Sequence, residues 1–287
     1  MRYLIAISSA LLLLLTSCLP EPIETEIEQA ESKIVVSSQV IPGNFMLVTV
    51  SRSFSALEGS YGSDLDQEDL DQFLVKDAIV VLSYADRVDT LVNSPDAPGV
   101  YASLLRLEEA NQSFELYVYD PKTKESVTAR STMLDRVNLE TVTATTSIAP
   151  LIDDTIYTMK YSFTDPPEDN WYVVNVFDPN NLQVNFNFLG NENDQVYTQL
   201  VSDKSYDGST IEFSSEIIGY DFNDTVTVMF SNISESYFRF LDARQRGVGI
   251  ISSVTGEPIN HPTNVQGGYG YFNTHNPSLT QVVLDEK

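Results

Sequence analysis

Cysteine, histidine and tryptophan are nearly missing from this chain, whose 287 residues include one cysteine, two histidines and one tryptophan. A lone thiol excludes an intramolecular disulfide, and with two separated histidines it also leaves no set of ligands for a structural zinc site. Neither His261 nor His275 accompanies a nucleophile elbow, so a Ser-His-Asp arrangement is not expected. Positive charge is scarce too. Against 41 Asp and Glu there are only 16 Lys and Arg, a formal net charge of −25, and such a surface repels phosphate backbones and anionic headgroups. Nucleic-acid binding is therefore excluded. The carboxylates are too many for any pair to stand out as the acid and base of a glycosidase. No catalytic residue, metal ligand or cofactor is assigned, and the chain is read as a non-enzyme.

Long apolar runs are also missing, with one short exception at the start of the chain. Arg2 precedes an apolar stretch from Leu4 to Leu15, interrupted only by Ser8 and Ser9, and then come Thr16, Ser17 and Cys18. A membrane-spanning helix needs about 20 apolar residues, so this stretch reads as a removable export signal. Leu15-Thr16-Ser17-Cys18 resembles a bacterial lipobox, in which the cysteine sulfur is acylated and becomes the first mature residue. Cys18 is thus the expected lipidation site and carries the membrane contact. Fatty chains contribute about 0.8 kcal/mol per buried CH₂, enough for stable anchoring when two or more are present. Residues 1–17 are the expected signal peptide and 18–32 an acidic tether, running Leu19-Pro20-Glu21-Pro22-Ile23-Glu24-Thr25-Glu26-Ile27-Glu28 without an aromatic residue. Acid immediately behind a lipidated cysteine resembles the surface-export signal of Bacteroidota-type lipoproteins.

From Lys33 onward the texture changes. Hydrophobic residues make up 42% of the chain, with 15 Tyr and 14 Phe, ample for a packed core despite the charge. Short runs rich in Val, Ile, Tyr, Phe and Thr alternate with Gly, Pro, Asn and Asp punctuation, which predicts antiparallel β-structure. Strands are expected at 34–40, 45–50, 78–84, 100–107 and 114–119, with turns at Pro42-Gly43-Asn44 and Pro98-Gly99. A second set is expected at 155–163, 171–177, 182–188, 195–201, 210–213 and 225–230, after a boundary near Pro150. The fold class is therefore mainly β: two β-sandwich domains of immunoglobulin-like or transthyretin-like kind, 33–147 and 148–287. One segment departs from this pattern. Residues 234–246 place Tyr237, Phe240 and Leu241 on one helical face, with Arg244 and Arg246 in the last turn and Gly247 as terminator, predicting a single amphipathic helix near the C-terminus. Residues 249–270 read as a long Gly-rich loop.

Few residues invite a binding role. Trp171 and Tyr172, with Phe177 nearby, are candidates for a platform on which sugar rings stack, and Tyr269 and Tyr271 of the Gly-rich stretch join them as ligand-facing aromatics. The competing reading places Trp171 in a sandwich core. Asp64-Leu65-Asp66-Gln67-Glu68-Asp69-Leu70-Asp71 resembles the opening of a calcium loop but lacks the glycine that makes the sharp turn, so a solvated acidic loop is the better reading. Gly267-Gly268-Tyr269-Gly270 lacks the lysine and helix start of a phosphate cradle and reads as a flexible turn or tight backbone packing. Asp165-Pro166-Pro167 reads as a strand end.

The order of several stretches resembles a Bacteroidota outer-membrane lipoprotein family, the domain of unknown function 4249. They are Lys33-Ile34-Val35-Val36, Val75-Lys76-Asp77-Ala78-Ile79-Val80-Val81-Leu82, Pro98-Gly99-Val100-Tyr101, Tyr161-Ser162-Phe163-Thr164-Asp165-Pro166-Pro167 with Asn170-Trp171-Tyr172, Ser236-Tyr237-Phe238, and Pro262-Thr263-Asn264-Val265 with Gly267-Gly268-Tyr269-Gly270-Tyr271-Phe272. Where members commonly have two tyrosines after Asp-Pro-Pro, this chain has Trp171-Tyr172. The resemblance implies an outer-membrane, cell-surface lipoprotein that assists a TonB-dependent receptor in nutrient uptake, and it supplies no catalytic residues. The alternative expectation is a free-standing adhesin or glycan-binding module.

Overall fold

The first strand sets the pattern for the whole first half. In β1 (Ile34–Val40) the side chains of Ile34, Val36, Ser38 and Val40 are buried, so alternate residues point into one core. The computed structural model describes residues 31–43, 45–53, 71–107, 112–149, 154–179, 197–203, 208–247 and 261–285. β2 (Phe45–Arg52), β3 (Ile79–Tyr84), β4 (Arg87–Asn93), β5 (Val100–Arg106), β6 (Ser113–Asp120) and β7 (Glu125–Thr132) follow β1. β6 keeps strict alternation, with Phe114, Leu116 and Val118 inside and Ser113, Glu115 and Tyr117 outside. The second half contains β8 (Thr141–Ala149), β9 (Asp154–Thr164), β10 (Trp171–Phe177), β11 (Tyr197–Ser202), β12 (Thr210–Ile218), β13 (Thr225–Ile233), the helix α1 (Glu235–Gly247), β14 (Val265–Gln266), β15 (Tyr269–Thr274) and β16 (Ser278–Val283).

Nine strands form one sheet in the order β14-β7-β6-β3-β4-β5-β2-β1-β15. β4 turns its corner: Leu91 pairs with Val80 of β3, whereas Val92 and Asn93 pair with Ala102 and Tyr101 of β5. The two outermost strands, β14 and β15, are consecutive in the chain, so one ribbon meets both edges and the sheet nearly closes on itself. Closure removes the unpaired edges that invite aggregation. Val36, Val48, Leu82, Phe114, Val118 and Phe272 fill the interior. Buried Tyr101 fixes the crossing from β2 to β3, since its hydroxyl donates to the Val75 carbonyl at 2.7 Å and accepts from the Ala78 N–H at 2.7 Å.

The second half is a pair of facing sheets, β12-β9-β8 and β11-β10-β13-β16. β9 contributes Tyr157, Met159, Tyr161 and Phe163 to the core between them, and β10 and β13 contribute Tyr172, Val174, Val176, Val226, Val228 and Phe230. Burial pushes the Tyr161 hydroxyl up to about 12. β10 and β13 are largely buried on both faces because the other face is covered as well. Val173 and Ile233 point away from the sandwich core and meet Tyr237 of α1 and Tyr271 of β15. The helix begins where Ser234 accepts the Tyr237 N–H on its hydroxyl at 3.3 Å, and Arg239 pairs with Glu235 one turn away at 2.6 Å.

Mainly β architecture with one C-terminal helix agrees with the sequence reading, and the expected boundary at 147/148 falls inside a strand. β8 lies across that boundary in register with β9, and Val137 already belongs to the second core. Thr141–Ala149, where the sequence sets no strand because it carries mostly Thr, Ser and Ala, is a strand. The C-terminal ribbon then returns to the first sheet, where β15 runs parallel to β1 from Val35↔Tyr269 to Val40↔Thr274. Ser32–Lys287 accordingly form one compact unit. The expected strand at 182–188, the acidic run but for Asp71, and Cys18 lie outside the described residues.

The ribbon fits only because it is glycine-rich. A Cβ at Gly270, where φ is +91°, would stand 1.9 Å from the Val36 carbonyl oxygen, and one at Gly268 would stand 2.4 Å from that of Ile34. Tight backbone packing, one of the two readings of this stretch, is therefore what is found. Gly43 also has positive φ (+80°), but nothing lies within 4 Å of its would-be Cβ. Gly43→Ala should cost about 1 kcal/mol from backbone strain alone. Gly270→Ala should cost at least about 4 kcal/mol, since backbone must move as well. Urea unfolding of the two variants measures the difference, and equal losses would contradict the close approach of β15 to β1.

Candidate functional site

Asp165-Pro166-Pro167 ends β9, and Asn170 and Trp171 start β10, so this turn places side chains on both faces of the β11-β10-β13-β16 sheet. Tyr172 points into the sandwich core, opposite Val201 of β11 and Asn232 of β13. Its ring stacks on Phe230 at 5.1 Å and meets Phe163 edge-on at 4.7 Å, while its hydroxyl donates to Asp165 Oδ1 at 2.5 Å. Burial raises its ionisation far out of reach, with the Asp165 carboxylate adding to the effect. Trp171 points the other way and is partly buried against the cluster of Val173, Ile233, Tyr237 and Tyr271.

The four aromatics named from sequence are thus not one platform. Tyr172 is a core tyrosine with its hydroxyl engaged, which corrects the expectation that it faces a ligand; the residue's alternation with Trp171 sends the two rings to opposite faces. Tyr271 is also buried, its hydroxyl 2.5 Å from Ser236 Oγ and its ring 5.0 and 5.1 Å from those of Tyr237 and Phe240. Trp171 and Tyr271 therefore share one cluster beneath α1. Tyr269, two residues earlier on the same strand face, lies beyond the helix and is exposed, with Lys33 Nζ 5.4 Å from its ring centre. Phe177 is buried.

What sequence reasoning missed is a buried polar set at the same end of the sandwich. Asp165 is 2% exposed and Asp203 1%, and Asn170 and Asn232 are buried beside them. The Asn170 N–H donates to Asp203 Oδ2 at 2.8 Å, and the Asp203 N–H returns to the Asn170 carbonyl at 3.3 Å. Asn170 Nδ2 donates to the Glu168 and Pro166 carbonyls at 2.6 and 3.4 Å, and its Oδ1 accepts from Asn232 Nδ2 at 3.2 Å. Three buried oxygens remain without a partner: Asp165 Oδ2, Asp203 Oδ1 and Asn232 Oδ1. Burial holds the Asp203 carboxyl above the usual carboxylate range, and the negative charge of Asp165, a side-chain hydrogen bond between the two carboxyl groups and the charge of Asp169 push it the same way, so Asp165 and Asp203 meet each other although no N–H or O–H of another residue reaches their free oxygens. Among the described residues no group of three or more carboxylate, imidazole or thiolate side chains converges on one point, so this set differs in drawing on amide oxygens. Asp165-Pro166-Pro167 and Asn170 stood out in the sequence, but Asp203 and Asn232 join them only through the register of β10 with its two neighbours.

The two histidines are placed very differently. His261 is exposed and lies edge-on to Phe240 at 6.5 Å, whereas His275 is buried in the connection where the ribbon passes from β15 to β16. Its backbone N–H donates to the Val40 carbonyl at 3.0 Å and its ring Nδ1 is 2.8 Å from Ser231 Oγ, so it touches strands of both halves. Burial pulls its pKa from 6.5 down to about 4.

A family model described as Domain of unknown function (DUF4249) matches residues 20–280. No curated protein matches the chain. Among solved structures, the crystal structure of the selenomethionine-substituted chicken interferon gamma receptor alpha chain is similar at 9% identity, covering 70% of this chain and 89% of that one with a TM-score of 0.19. A superposition that poor supports no comparison of architecture.

The buried imidazole makes stability depend on pH. Between about 6.5 and about 4 the unfolded chain binds a proton at His275 that the folded chain refuses. Its contribution is therefore fully present above 6.5 and falls by about 3 kcal/mol as pH drops to 4. Urea unfolding of wild type and His275→Gln at pH 7 and pH 4.5 should show the variant losing less stability on acidification, and an equal loss would contradict a buried neutral imidazole.

Proposed function

The chain belongs to the DUF4249 family, and from that premise we propose that it is a lipid-anchored surface protein of the outer membrane that assists a TonB-dependent receptor in nutrient uptake. The observation that carries this reading is the single cysteine, Cys18, placed directly after an apolar run too short to span a bilayer. Acyl chains on that sulfur hold the protein on the membrane, and the acidic stretch to Ser32 is the tether. The fifteen residues 18–32, fully extended, reach at most about 50 Å. The folded body stays close to its membrane.

The body is read as two fused sandwiches of immunoglobulin-like kind that present a docking face for the receptor. Support comes from the outward face of β3, β4 and β6. Ile79, Tyr117, Val88 and Val92 are 49, 41, 72 and 53% exposed and share this face, with polar Ser83, Thr90 and Glu115 set among them by the register. Solvent-facing apolar groups gathered in this way mark contact surfaces. The glycan-binding alternative loses its platform, because Tyr172 is engaged in the core and Trp171 packs beneath α1.

Affinity purification from native membranes in mild detergent should recover a large β-barrel receptor with the protein, and mass analysis should find acyl chains on Cys18. A Val88→Glu, Val92→Glu double variant should stay on the membrane and recover about a tenth as much receptor or less. Recovery of the protein alone, or a bare thiol at Cys18 on a soluble chain, would count against the proposal.

A further inference from the structure

We infer that Asp165, Asp203 and Asn232 form an oxygen-only site for one hard divalent cation, of calcium type, that staples the two sheets of the second sandwich together at one end. Two carboxyl groups are buried here against each other, and beyond that contact they have only neutral donors: the Tyr172 hydroxyl on Asp165 and the Asn170 N–H on Asp203. No ion pair among the described residues reaches either of them. Two negative charges in such a place require a positive partner or a proton shared between them.

The three unpartnered oxygens say which partner. One shared proton satisfies Asp165 Oδ2 and Asp203 Oδ1 at most, and leaves Asn232 Oδ1 bare. Turning the Asn232 amide over does not rescue it. Asn170 Nδ2 is committed to two backbone carbonyls, so Asn170 Oδ1 faces Asn232 and demands its N–H₂, which directs Asn232 Oδ1 away from Asn170. A cation takes all three oxygens at once. Carboxylate and amide oxygens suit calcium, which tolerates irregular geometry and fills the remaining positions with water, whereas zinc selects nitrogen and sulfur and magnesium demands a near-ideal octahedron. The ligands come from the end of β9, the residue after β11 and the end of β13, so the ion links a strand of one sheet to two strands of the other. The site is independent of the lipid anchor and of the receptor-docking face.

The test uses the full chain purified in detergent, stripped with EDTA and titrated with CaCl₂ by calorimetry and thermal melting in about 0.15 M NaCl, which screens loose binding to the acidic surface. One calcium per chain should bind with a midpoint of about 0.1–1 mM and raise the melting temperature. Asp165→Asn and Asp203→Asn should each weaken binding about tenfold or more, and Asn232→Asp, which keeps the oxygen and adds charge, should tighten it about threefold or more. If either carboxylate variant does not fold, Asn232→Ala should still weaken binding about threefold. Binding should persist in an Asp66→Asn, Asp69→Asn variant of the acidic run. No heat and no melting shift up to about 10 mM CaCl₂ would overturn the site. So would binding that ignores Asp165 and Asp203, that is weakened by Asn232→Asp, or that is lost with Asp66 and Asp69.

Discussion

The parallel pairing of β15 with β1 is the contact on which the rest of the molecule depends. It joins residues 35–40 to residues 269–274, so β8 to β13 and α1 all precede in the chain the strand that completes this edge of the first sheet. Parallel neighbours need a crossover, and here the crossover is a folded half of the protein. The same ribbon delivers Phe272 to the first core, Tyr271 to the cluster under α1, and β16 to the edge of the second sandwich. One segment of fewer than 20 residues thus serves three packing regions, each of which would expose apolar surface without it.

This dependence explains the stretches that carry the family resemblance. Lys33–Val36 opens β1, and Gly267–Phe272 is the strand laid against it, with glycines where the two backbones approach too closely for any side chain. Val75 and Tyr101 belong to different stretches and meet through the Tyr101 hydroxyl. Gly99 is needed beside Leu74 and the Val50 carbonyl, where a Cβ would sit 3.0 and 3.2 Å away at φ +80°. Tyr161–Pro167 and Asn170–Tyr172 bring Phe163, Tyr172 and Asp165 to one end of the second core. Several of the stretches quoted for that resemblance therefore fall at close approaches and buried polar contacts.

Strands with a strong apolar face, such as β1, β6 and β10, were legible because burial imposes a period of two on Val, Ile, Phe and Tyr. β4, β7, β8 and β14 to β16 were not: Arg87–Asn93, Glu125–Thr132 and Thr141–Ala149 are largely polar, and the glycines of the C-terminal ribbon read as loop, whereas Val265–Gln266 and Tyr269–Thr274 are strands. The helix was read to within one residue at each end, since Ser234, Arg244, Arg246 and Gly247 mark its ends chemically. The site was half legible. Asp165-Pro166-Pro167 and Trp171-Tyr172 announced themselves, whereas Asp203 and Asn232 sit in ordinary-looking sequence and acquire meaning only from register. The aromatics misled for the opposite reason: a tyrosine looks the same in sequence whether its hydroxyl meets water or a buried carboxylate.

If the ribbon binds the halves as described, neither core has an independent existence, and the body should lose both together. Scanning calorimetry of the full chain tests this directly. A single transition whose calorimetric and van't Hoff enthalpies agree is the result expected of Ser32–Lys287 as one cooperative unit. Two resolved transitions, or a calorimetric enthalpy about twice the van't Hoff value, would mean that the halves unfold separately and that the β1–β15 pairing is incidental.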